Sequence, residues 1–454
     1  MRQSATPTIR FAPLAATRPE PLALEASFDG GRLTSDGGVA WLGEAERALG
    51  VCAALAAVVP EWRRGPVHHP LEVLVRQRVF QIACGYEDQD DADTLRTDPL
   101  LKLVCGRLPE SGPDLASQPT FSRLENAVRA SSCYRLGLAL ARVYCHQREQ
   151  RAGGPPRRVL LDFDGTDDPT HGDQEGTAYH GYYGQHMYFP LLVFDGDTDQ
   201  LITAVLRPGN AHGGRGALAI LRRLVRLLRT WWPGVRIEVR ADSGFALPAL
   251  YEYCEAEGIG YTIGLIPNPR LEREAAPLLA EAQRQRAAQP VDAGLSKVRL
   301  AGETSYQAGS WDRARRVVYK AEALAEGPNT RFVVTTRSEP PLALYDFYVD
   351  RGEPENWIKD FKRACAADRL SCHRFVANQF RLFLHAAAYW LLDTLRHWLT
   401  RLGVPRLQLD TLRLQLLKVA GRVRELITCV RLHLASSHPA EPLWRLLATR
   451  PLRP

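Results

Sequence analysis

Two hydrophobic periodicities divide the chain. Between residues 36 and about 150, apolar residues recur at the spacing of amphipathic helices, as in "LEVLVRQRVFQIACGY". The segment "RAGGPPRR" (151–158) then interrupts this pattern with glycines and prolines, which are typical of a loop. The sequence therefore predicts a helical N-terminal region over 36–155, followed by a different kind of structure.

Shorter apolar runs with strand-like alternation follow this boundary, as in "VRIEVRAD" (235–242). Two of the runs flank "GDT", which indicates a hairpin, and "ALAILRRLVRLLRTWW" (217–232) predicts an amphipathic helix. Strands are predicted at 158–163, 187–195, 200–208, 235–242 and 259–266, and helices at 217–232 and 247–258. This order is that of a ribonuclease-H-like core, in which the first strand and the end of the fourth strand present carboxylates.

The remaining segments complete a predicted α/β architecture. Residues 267–343 combine a charged helical stretch with strand-like stretches, which predicts a β-rich insertion into the core. Helical patterns return after it and continue to the end. The prediction is a flexible N-terminal arm (1–35), a helical region for binding DNA ends (36–155), a ribonuclease-H-like core in two parts (156–266 and 344–400), the inserted subdomain (267–343) and a basic helical C-terminal region (401–454).

Charge and cysteine usage narrow the function classes. The net charge of +7 favours a polyanionic partner, and twelve Lys and Arg against four Asp and Glu from Arg381 onward account for the surplus. Nine cysteines without a C-x-x-C pair indicate free thiols in a reducing compartment. No apolar run has the length needed to cross a bilayer, so we expect a cytoplasmic protein with no membrane partner.

In "RVLLDFDGTDDPTHGDQ" (158–174), four aspartates crowd the end of the first predicted strand: Asp162, Asp164, Asp167 and Asp168. Taken alone, "DFDGT" matches the D-x-D-G-T motif of haloacid-dehalogenase-like phosphatases, in which the first aspartate, here Asp162, is the nucleophile. The same residues could instead provide one ligand of a metal site, because crowded carboxylates repel one another unless a cation or proton separates them. Asp162 and Asp164 share one face of the strand, so the motif alone leaves both open.

A second informative stretch is "DFYVDRGEPENWIKDFKRACAADRL" (346–370). Tyr348, Arg351, Glu355 and Lys362 stand in it with the spacing Y-x2-R-x3-E-x6-K. On a helix that starts at Pro354, one stripe carries Glu355, Lys359, Lys362 and Arg369, and another face carries Ile358, Phe361 and Cys365. A solvated face with a Glu–Lys pair would explain Glu355 and Lys359 but not the full spacing.

This spacing resembles the signature of bacterial insertion-sequence transposases of the DDE type, in the superfamily named for insertion sequence four. Other stretches resemble the insertion-sequence group numbered thirteen-eighty. They are "SQPTFSRLEN", "DFDGTDDPTHG", "HGYYGQHMYFPLLVFDG", "LRPGN", "RADSGF" and "DTLRLQLLKVAGRV". The resemblance covers nearly the whole chain.

The resemblance implies a two-metal-ion site for DNA cleavage and strand transfer. Asp164, Asp242 and Glu355 would be the catalytic ligands of two Mg²⁺ or Mn²⁺ ions, because hard cations prefer carboxylate oxygens. Asp162 is a further candidate ligand, less favoured than Asp164 from its register. Contacts to DNA phosphates or to the leaving strand would come from Tyr348, Arg351, Lys359 and Lys362.

The family also implies partners and one aromatic contact. The expected partner is double-stranded DNA, as terminal inverted repeats and as target, bound by a homodimer. Trp311, in the insertion, would stack on a flipped base, although a buried core tryptophan is the more ordinary interpretation. Two alternatives stay open: a phosphatase that uses D-x-D-G-T, and an inactive DNA-binding remnant of a transposase.

Overall fold

The structure is a computed structural model that describes residues 8–10, 24–288, 297–324 and 327–449. The side chains of Arg351, Glu353 and Pro354 are outside this description. Much of the predicted N-terminal arm, 1–7 and 11–23, also lies outside the described residues. Its described parts form two short strands, β1 (Ile9–Arg10) and β2 (Glu25–Ala26), which pair antiparallel.

Helices dominate the region that follows, as the sequence predicts. A short strand, β3 (Leu33–Thr34), precedes them. The helices are α1 (Val39–Leu49), α2 (Val51–Ala56), α3 (Leu71–Ala83), α4 (Asp91–Leu95), α5 (Pro99–Val104), α6 (Gln118–Ala127) and α7 (Ala130–Ala152). Asp98 caps α5 by accepting hydrogen bonds from the amides of Leu100 and Leu101, and Pro99 suits the first helical position.

The next part of the chain builds most of a large mixed sheet. Its elements are β4 (Arg158–Gly165), β5 (Asp168–Pro169), β6 (Ala178–His180), β7 (Gln185–Tyr188), β8 (Leu191–Asp195), β9 (Gln200–Val205), α8 (Ala217–Trp231), β10 (Arg236–Ala241), α9 (Pro248–Ala256) and β11 (Gly260–Leu265). The predicted strands and helices occur in the expected order, but β5 and β6 were not predicted, and the single strand expected over 187–195 is divided into β7 and β8. Pro190 lies between the two strands, and proline cannot donate to a sheet ladder.

The predicted insertion is helical and then β-rich, with α10 (Pro269–Ala287), β12 (Val298–Tyr306), β13 (Arg315–Leu324) and β14 (Gly327–Thr335). Its strands extend the main sheet, because β14 pairs antiparallel with β11. The eight-stranded order is β12-β13-β14-β11-β10-β4-β8-β9. Within it, β4, β10 and β11 are parallel, whereas β8 runs antiparallel to β4 and β9 antiparallel to β8.

The last part of the chain contains α11 (Pro341–Val349), α12 (Glu353–Cys365), α13 (Phe375–Arg401), α14 (Leu409–Leu412), β15 (Gly421–Glu425), β16 (Val430–Leu434) and α15 (Glu441–Ala448). Helix α13 is buried along most of its length and packs against the N-terminal helices and β9. Region 401–454 differs from the predicted helical region, since β15 and β16 form a hairpin that also pairs with β3. Alternating exposure along "GRVRE" is the pattern of a half-buried strand.

Two predictions about composition can be compared with the structure. All nine cysteines are free thiols, as expected from their spacing. None of the described helices combines the length and the apolar character that a membrane span requires. The apolar stretch 382–392 lies in the buried middle of α13.

Candidate functional site

Asp162 and Asp164 have different surroundings although both lie on β4. The Asp162 carboxylate is buried and accepts two hydrogen bonds from Arg240 on β10, with Nε–Oδ1 and Nη2–Oδ2 distances of 2.7 Å each. Arg240 also donates to the carbonyl oxygen of Phe347 at 2.7 Å. Asp162 thus belongs to a bidentate ion pair inside the sheet, which leaves Asp164 as the aspartate at the end of this strand.

Asp164 lies near the carboxyl end of β4, and Asp242 directly follows β10, the parallel neighbour of β4. Asp162 pairs with Arg240 and Phe163 with Ala241 in the β4–β10 register, so Asp164 and Asp242 come next on the same sheet edge. Asp164 is buried and its Oδ1 accepts from the Gly165 amide at 2.9 Å. Asp242 Oδ1 accepts from the Gly244 amide at 2.7 Å, which fixes the turn after β10.

One tyrosine lies close enough to both aspartates to feel their charge. Burial raises the pKa of Tyr183 to about 12, and the negative charges of Asp167, Asp164 and Asp242 add to the rise. Electrostatic influence of this size acts over short distances in a protein. The Tyr183 ring also packs against Phe189 at 6.1 Å, and that ring would lie 2.8 Å from a Cβ atom added to Gly165, so Tyr183 lies near the end of β4.

Arg207 lies beside the same carboxylates and is missing from the residues singled out in the sequence. Burial lowers its pKa to about 10, and Asp242 opposes this change. Its guanidinium stacks on the Phe189 ring at 4.7 Å and donates to the Phe189 carbonyl oxygen at 2.7 Å. Arg207 belongs to the "LRPGN" stretch, and the family resemblance of that stretch was a signal for this residue. A buried arginine next to carboxylates has to be paired or hydrogen-bonded.

Tyr348 reaches the turn that holds Asp242. A Cβ atom added to Gly264 on β11 would lie 2.6 Å from the Tyr348 hydroxyl oxygen and 2.8 Å from the Ser243 amide nitrogen. The hydroxyl and the turn therefore share the space above Gly264, which only glycine leaves open. The first residue of Y-x2-R-x3-E-x6-K is thus close to Asp242, whereas the side chain of Arg351 lies outside the described residues.

Helix α12 carries Glu355 and Lys362 on its outer face. Its inner face packs into the core, with the Trp357 ring 5.4 Å from Phe194 and the Phe361 ring 5.6 Å from Tyr389. Lys362 donates to Asp167 through both the carbonyl oxygen, at 3.0 Å, and Oδ1, at 2.8 Å. These bonds join the helix to the loop that follows Asp164.

The predicted stripe of α12 needs one correction. The helix ends at Cys365, because Ala366 adopts a left-handed conformation with φ of 50°. Arg369 therefore lies on the following turn and not on the helix. It still lines the same cleft as Glu355, Lys359 and Lys362.

That cleft is polar, mostly cationic and about 680 Å³ in volume. Five basic side chains line it, together with Glu355, Glu87, Asp368 and Thr166: Lys359, Lys362, Arg363, Arg369 and Arg413. Arg413 comes from the C-terminal region and donates to the Ala364 carbonyl oxygen. Because Thr166 is two residues from Asp164, the cleft leads from the first aspartate to Glu355.

The side chains of the candidate site offer the oxygen atoms that a hard divalent cation requires, but they are not arranged around one point. Asp164, Asp242 and Glu355 offer carboxylate oxygens, which Mg²⁺ and Mn²⁺ prefer. Throughout the described ranges, however, no three His, Cys, Asp or Glu side chains are grouped so that they could hold an ion. The β4–β10 register places the two aspartates side by side, and Glu355 lines the cleft that Thr166 also lines.

Trp311 lies in the core of the insertion. It is only 7% exposed and packs edge-on against the rings of Tyr251, at 5.4 Å, and Tyr306, at 5.5 Å. The Arg315 guanidinium covers it at 5.4 Å. In this arrangement its ring has no open face for a base.

Comparison with known proteins gives a family match and similarity to solved structures. The model of the family described as transposase DDE domain group 1 matches residues 20–453. No curated protein matches the chain. Among solved structures, the chain is similar to a piggyBac transposase in a synaptic complex with hairpin DNA, at 12% identity and a TM-score of 0.43, over 85% of this chain and 80% of that one.

Proposed function

We propose that this chain, which belongs to the transposase DDE domain group 1 family and is a DNA transposase, cuts the terminal inverted repeats of an insertion sequence and joins the freed ends to target DNA. Within the family we assign it to the insertion-sequence group thirteen-eighty, in the superfamily named for insertion sequence four. The assignment rests on Y-x2-R-x3-E-x6-K and on stretches such as "RADSGF".

The observation that carries the proposal is the pairing of β4 with β10. Parallel pairing in this register brings Asp164 and Asp242 to one sheet edge, although 77 positions separate them in sequence. The strand order β9-β8-β4-β10-β11, with an antiparallel start and a parallel end, supports a ribonuclease-H-like core. We assign Asp164 and Asp242 as catalytic residues at that edge.

Glu355 is the proposed third carboxylate. Together the three residues would hold two Mg²⁺ or Mn²⁺ ions, which supply Lewis-acid activation of the attacking oxygen and stabilisation of the leaving oxygen. Since the three side chains are not grouped in the described structure, the proposal includes an approach of Glu355 to the aspartates when DNA and ions are bound.

The cationic side chains of the cleft have roles of their own. Lys359 and Lys362 lie on the face of α12 that carries Glu355, where positive charge attracts phosphates. Lys362 also holds the Asp167 loop through two hydrogen bonds, so it positions the strand end that carries Asp164. Tyr348 and Arg351 complete the proposed phosphate contacts, and Trp311 is proposed as a core residue.

The proposed partners are the inverted repeats and a target duplex, bound by a homodimer because two ends have to be joined. The N-terminal helices 36–155 are the proposed end-binding region, and the protein would act in the bacterial cytoplasm on nucleoid DNA. A phosphatase with Asp162 as nucleophile is not favoured, because Arg240 binds both oxygens of that carboxylate within the sheet.

The test is cleavage of duplexes that carry the inverted repeats flanking the gene. Asp164→Asn, Asp242→Asn and Glu355→Gln should each abolish cleavage in Mg²⁺ or Mn²⁺, while binding of the same duplex persists. Calorimetric titration with Mn²⁺ should show weaker ion binding for each variant, which separates loss of the ion from loss of the fold. Full cleavage by Glu355→Gln would overturn the third-ligand assignment, and phosphomonoester hydrolysis that requires Asp162 alone would restore the phosphatase.

A further inference from the structure

An aromatic hairpin lies next to the proposed catalytic aspartates. Strands β6 and β7 pair antiparallel and are joined by the four residues 181–184, "GYYG". The Gly184 amide donates to the His180 carbonyl oxygen at 2.8 Å and closes the turn. Two tyrosines therefore stand at the tip, held between two glycines.

The tip exposes far more aromatic surface than a folded chain normally leaves in water. Tyr182 is 87% exposed, Tyr179 is 58% exposed and Tyr183 is 37% exposed. The Tyr182 and Tyr183 rings lie 5.0 Å apart at 85°, so Tyr183 supports Tyr182 from the side. Burial of aromatic surface is favourable, and an exposed cluster of this kind indicates a binding surface.

The inner ring of this cluster is fixed. Tyr183 packs against His180 at 5.1 Å and against Phe189 at 6.1 Å. Arg207 joins this group by stacking on the Phe189 ring at 4.7 Å. These contacts make the cluster a rigid support. Its outermost ring, Tyr182, rests on Tyr183 and is otherwise exposed.

Its position identifies the ligand chemistry. The hairpin is joined to the end of β4, because Gln185 donates to Asp167 at 3.3 Å and the Phe189 ring, on which Tyr183 packs, would lie 2.8 Å from a Cβ atom added to Gly165. Gly165 follows Asp164, so Tyr182, one residue before Tyr183, stands at the rim of the same site. A DNA strand end held at the proposed catalytic aspartates would pass this rim. Unpaired bases present flat faces, and aromatic side chains bind such faces by stacking without requiring a particular base.

We propose that Tyr182 is a stacking residue for an unpaired base of the DNA end, supported by Tyr183 and the ring of Phe189. This inference rests on the proposed function and adds a nucleobase site to it. It also gives a different position for an aromatic contact than Trp311, which is enclosed by its neighbours. The phosphates of the same strand would be held in the basic cleft and its base on the hairpin.

Binding of a forked duplex tests the proposal. The probe is the inverted-repeat duplex with a short unpaired arm at the cleavage end, compared with the same duplex fully paired, and affinity is measured by fluorescence anisotropy in EDTA. Tyr182→Ala should weaken binding of the forked duplex about tenfold, since base stacking on an aromatic side chain is worth about that factor or more. Binding of the paired duplex should be unchanged.

Matched variants show whether the ring itself is responsible. Tyr182→Phe should bind both probes like the wild type, because it keeps the ring and loses only the hydroxyl. Phe28→Ala is the control, since Phe28 is an 86% exposed aromatic residue in the N-terminal arm, outside the cleft and outside the proposed end-binding helices. Equal weakening of both probes by Tyr182→Ala, no weakening of either, or an equal loss with Tyr182→Phe would each overturn the proposal.

A failure here is distinguishable from a failure of the proposed function. Binding in EDTA requires no cleavage, so the result for Tyr182 concerns only the stacking site. Absence of metal-dependent cleavage by the wild type on its own inverted repeats would instead overturn the proposed function. Thermal unfolding of Tyr182→Ala should match that of the wild type, because the ring is largely exposed.

Discussion

Arg240 and Asp162 form a bidentate pair between two neighbouring parallel strands, with both oxygen–nitrogen distances at 2.7 Å. Both side chains are almost completely buried, at 3% and 1% exposure. The pair ties β4 to β10 two residues before Asp164 and Asp242. It therefore fixes the register on which the proposed site depends, without itself facing the substrate.

Asp162→Asn and Asp164→Asn should consequently have different effects. Removing one partner of a buried ion pair leaves an uncompensated charge, so Asp162→Asn should lower the free energy of unfolding by about 3–5 kcal/mol. Asp164→Asn should leave stability nearly unchanged and abolish cleavage. Urea denaturation and cleavage assays on both variants decide the matter, and a stable, inactive Asp162→Asn would contradict the assignment.

Lys362 and Lys359 provide a matched pair on α12. Lys362→Met should lower the cleavage rate roughly tenfold, because it releases the loop that follows Asp164, while its partly exposed ion pair contributes only about 1 kcal/mol to stability. Lys359→Met, on an exposed residue, should weaken DNA binding and leave the rate at saturating DNA unchanged. Single-turnover cleavage at saturating DNA measures this difference, and equal rates for both variants would refute a positioning role for Lys362.

The basic side chains of the cleft predict that affinity for DNA falls as the salt concentration rises. Arg363→Gln and Arg369→Gln should each reduce the slope of log affinity against log salt by about 1, as expected for a lost phosphate contact. Arg284→Gln is the control, because Arg284 is exposed on α10 and pairs with Glu281. Affinities measured over a range of salt concentrations should show the change for the two cleft residues alone.

Asp168 should make stability depend on pH. Burial raises the pKa of its carboxyl well above the usual range, repulsion from Asp368 adds to the rise, and Lys362 opposes it. The unfolded chain releases this proton near pH 4 and the folded chain at higher pH, so wild-type stability should fall as pH rises above about 4. Asp168→Asn removes this dependence.

The variant should therefore gain stability relative to the wild type between about pH 4 and about pH 8. Urea denaturation at both values measures the difference. A packing change caused by the amide alters stability equally at both pH values. Subtracting the stability difference at the lower pH from that at the higher pH therefore removes its contribution. A constant difference between variant and wild type would show that Asp168 titrates alike in both states.

Trp311 should matter for folding more than for DNA chemistry. Trp311→Ala should lower the free energy of unfolding by about 3–5 kcal/mol, the usual cost of truncating a buried tryptophan. Trp311→Phe keeps most of the packing and should retain wild-type cleavage products. If Trp311→Phe had wild-type stability but gave altered cleavage products, the interpretation that Trp311 contacts a DNA base would be supported instead.

Much of the site was predictable because its signals are local. The alternation of "VRIEVRAD" places Asp242 just after a strand, and helical spacing from Pro354 separates Glu355 and Lys362 from Ile358 and Phe361. The sequence carries a further signal of the strand register: Asp164 follows Asp162 by two positions, and Asp242 follows Arg240 by two. If the two strands are parallel, this equal spacing indicates that Asp162 pairs with Arg240 and that Asp164 and Asp242 lie side by side.

Other features depend on contacts between distant parts of the chain. Arg413 enters the cleft from the C-terminal region, which no local pattern indicates. Arg207 stacks on Phe189 and would lie 3.0 Å from a Cβ atom added to Gly165. Similarly, β14 joins β11 and makes the insertion part of the main sheet. The end of α12 at Cys365 depends on a left-handed Ala366, a conformation that alanine rarely adopts.

The sequence by itself determined the order of the main strands and helices of the core, the two aspartates at the carboxyl ends of β4 and β10, and the spacing around Glu355. Local periodicity and motif spacing are properties of neighbouring residues, so they can be recognised along the chain. Only the tertiary structure decided that Asp162 pairs with Arg240, that Trp311 is enclosed and that Tyr182 is exposed at the tip of a hairpin. Burial and pairing arise from the packing of residues far apart in sequence, and that packing gives chemically similar side chains different roles.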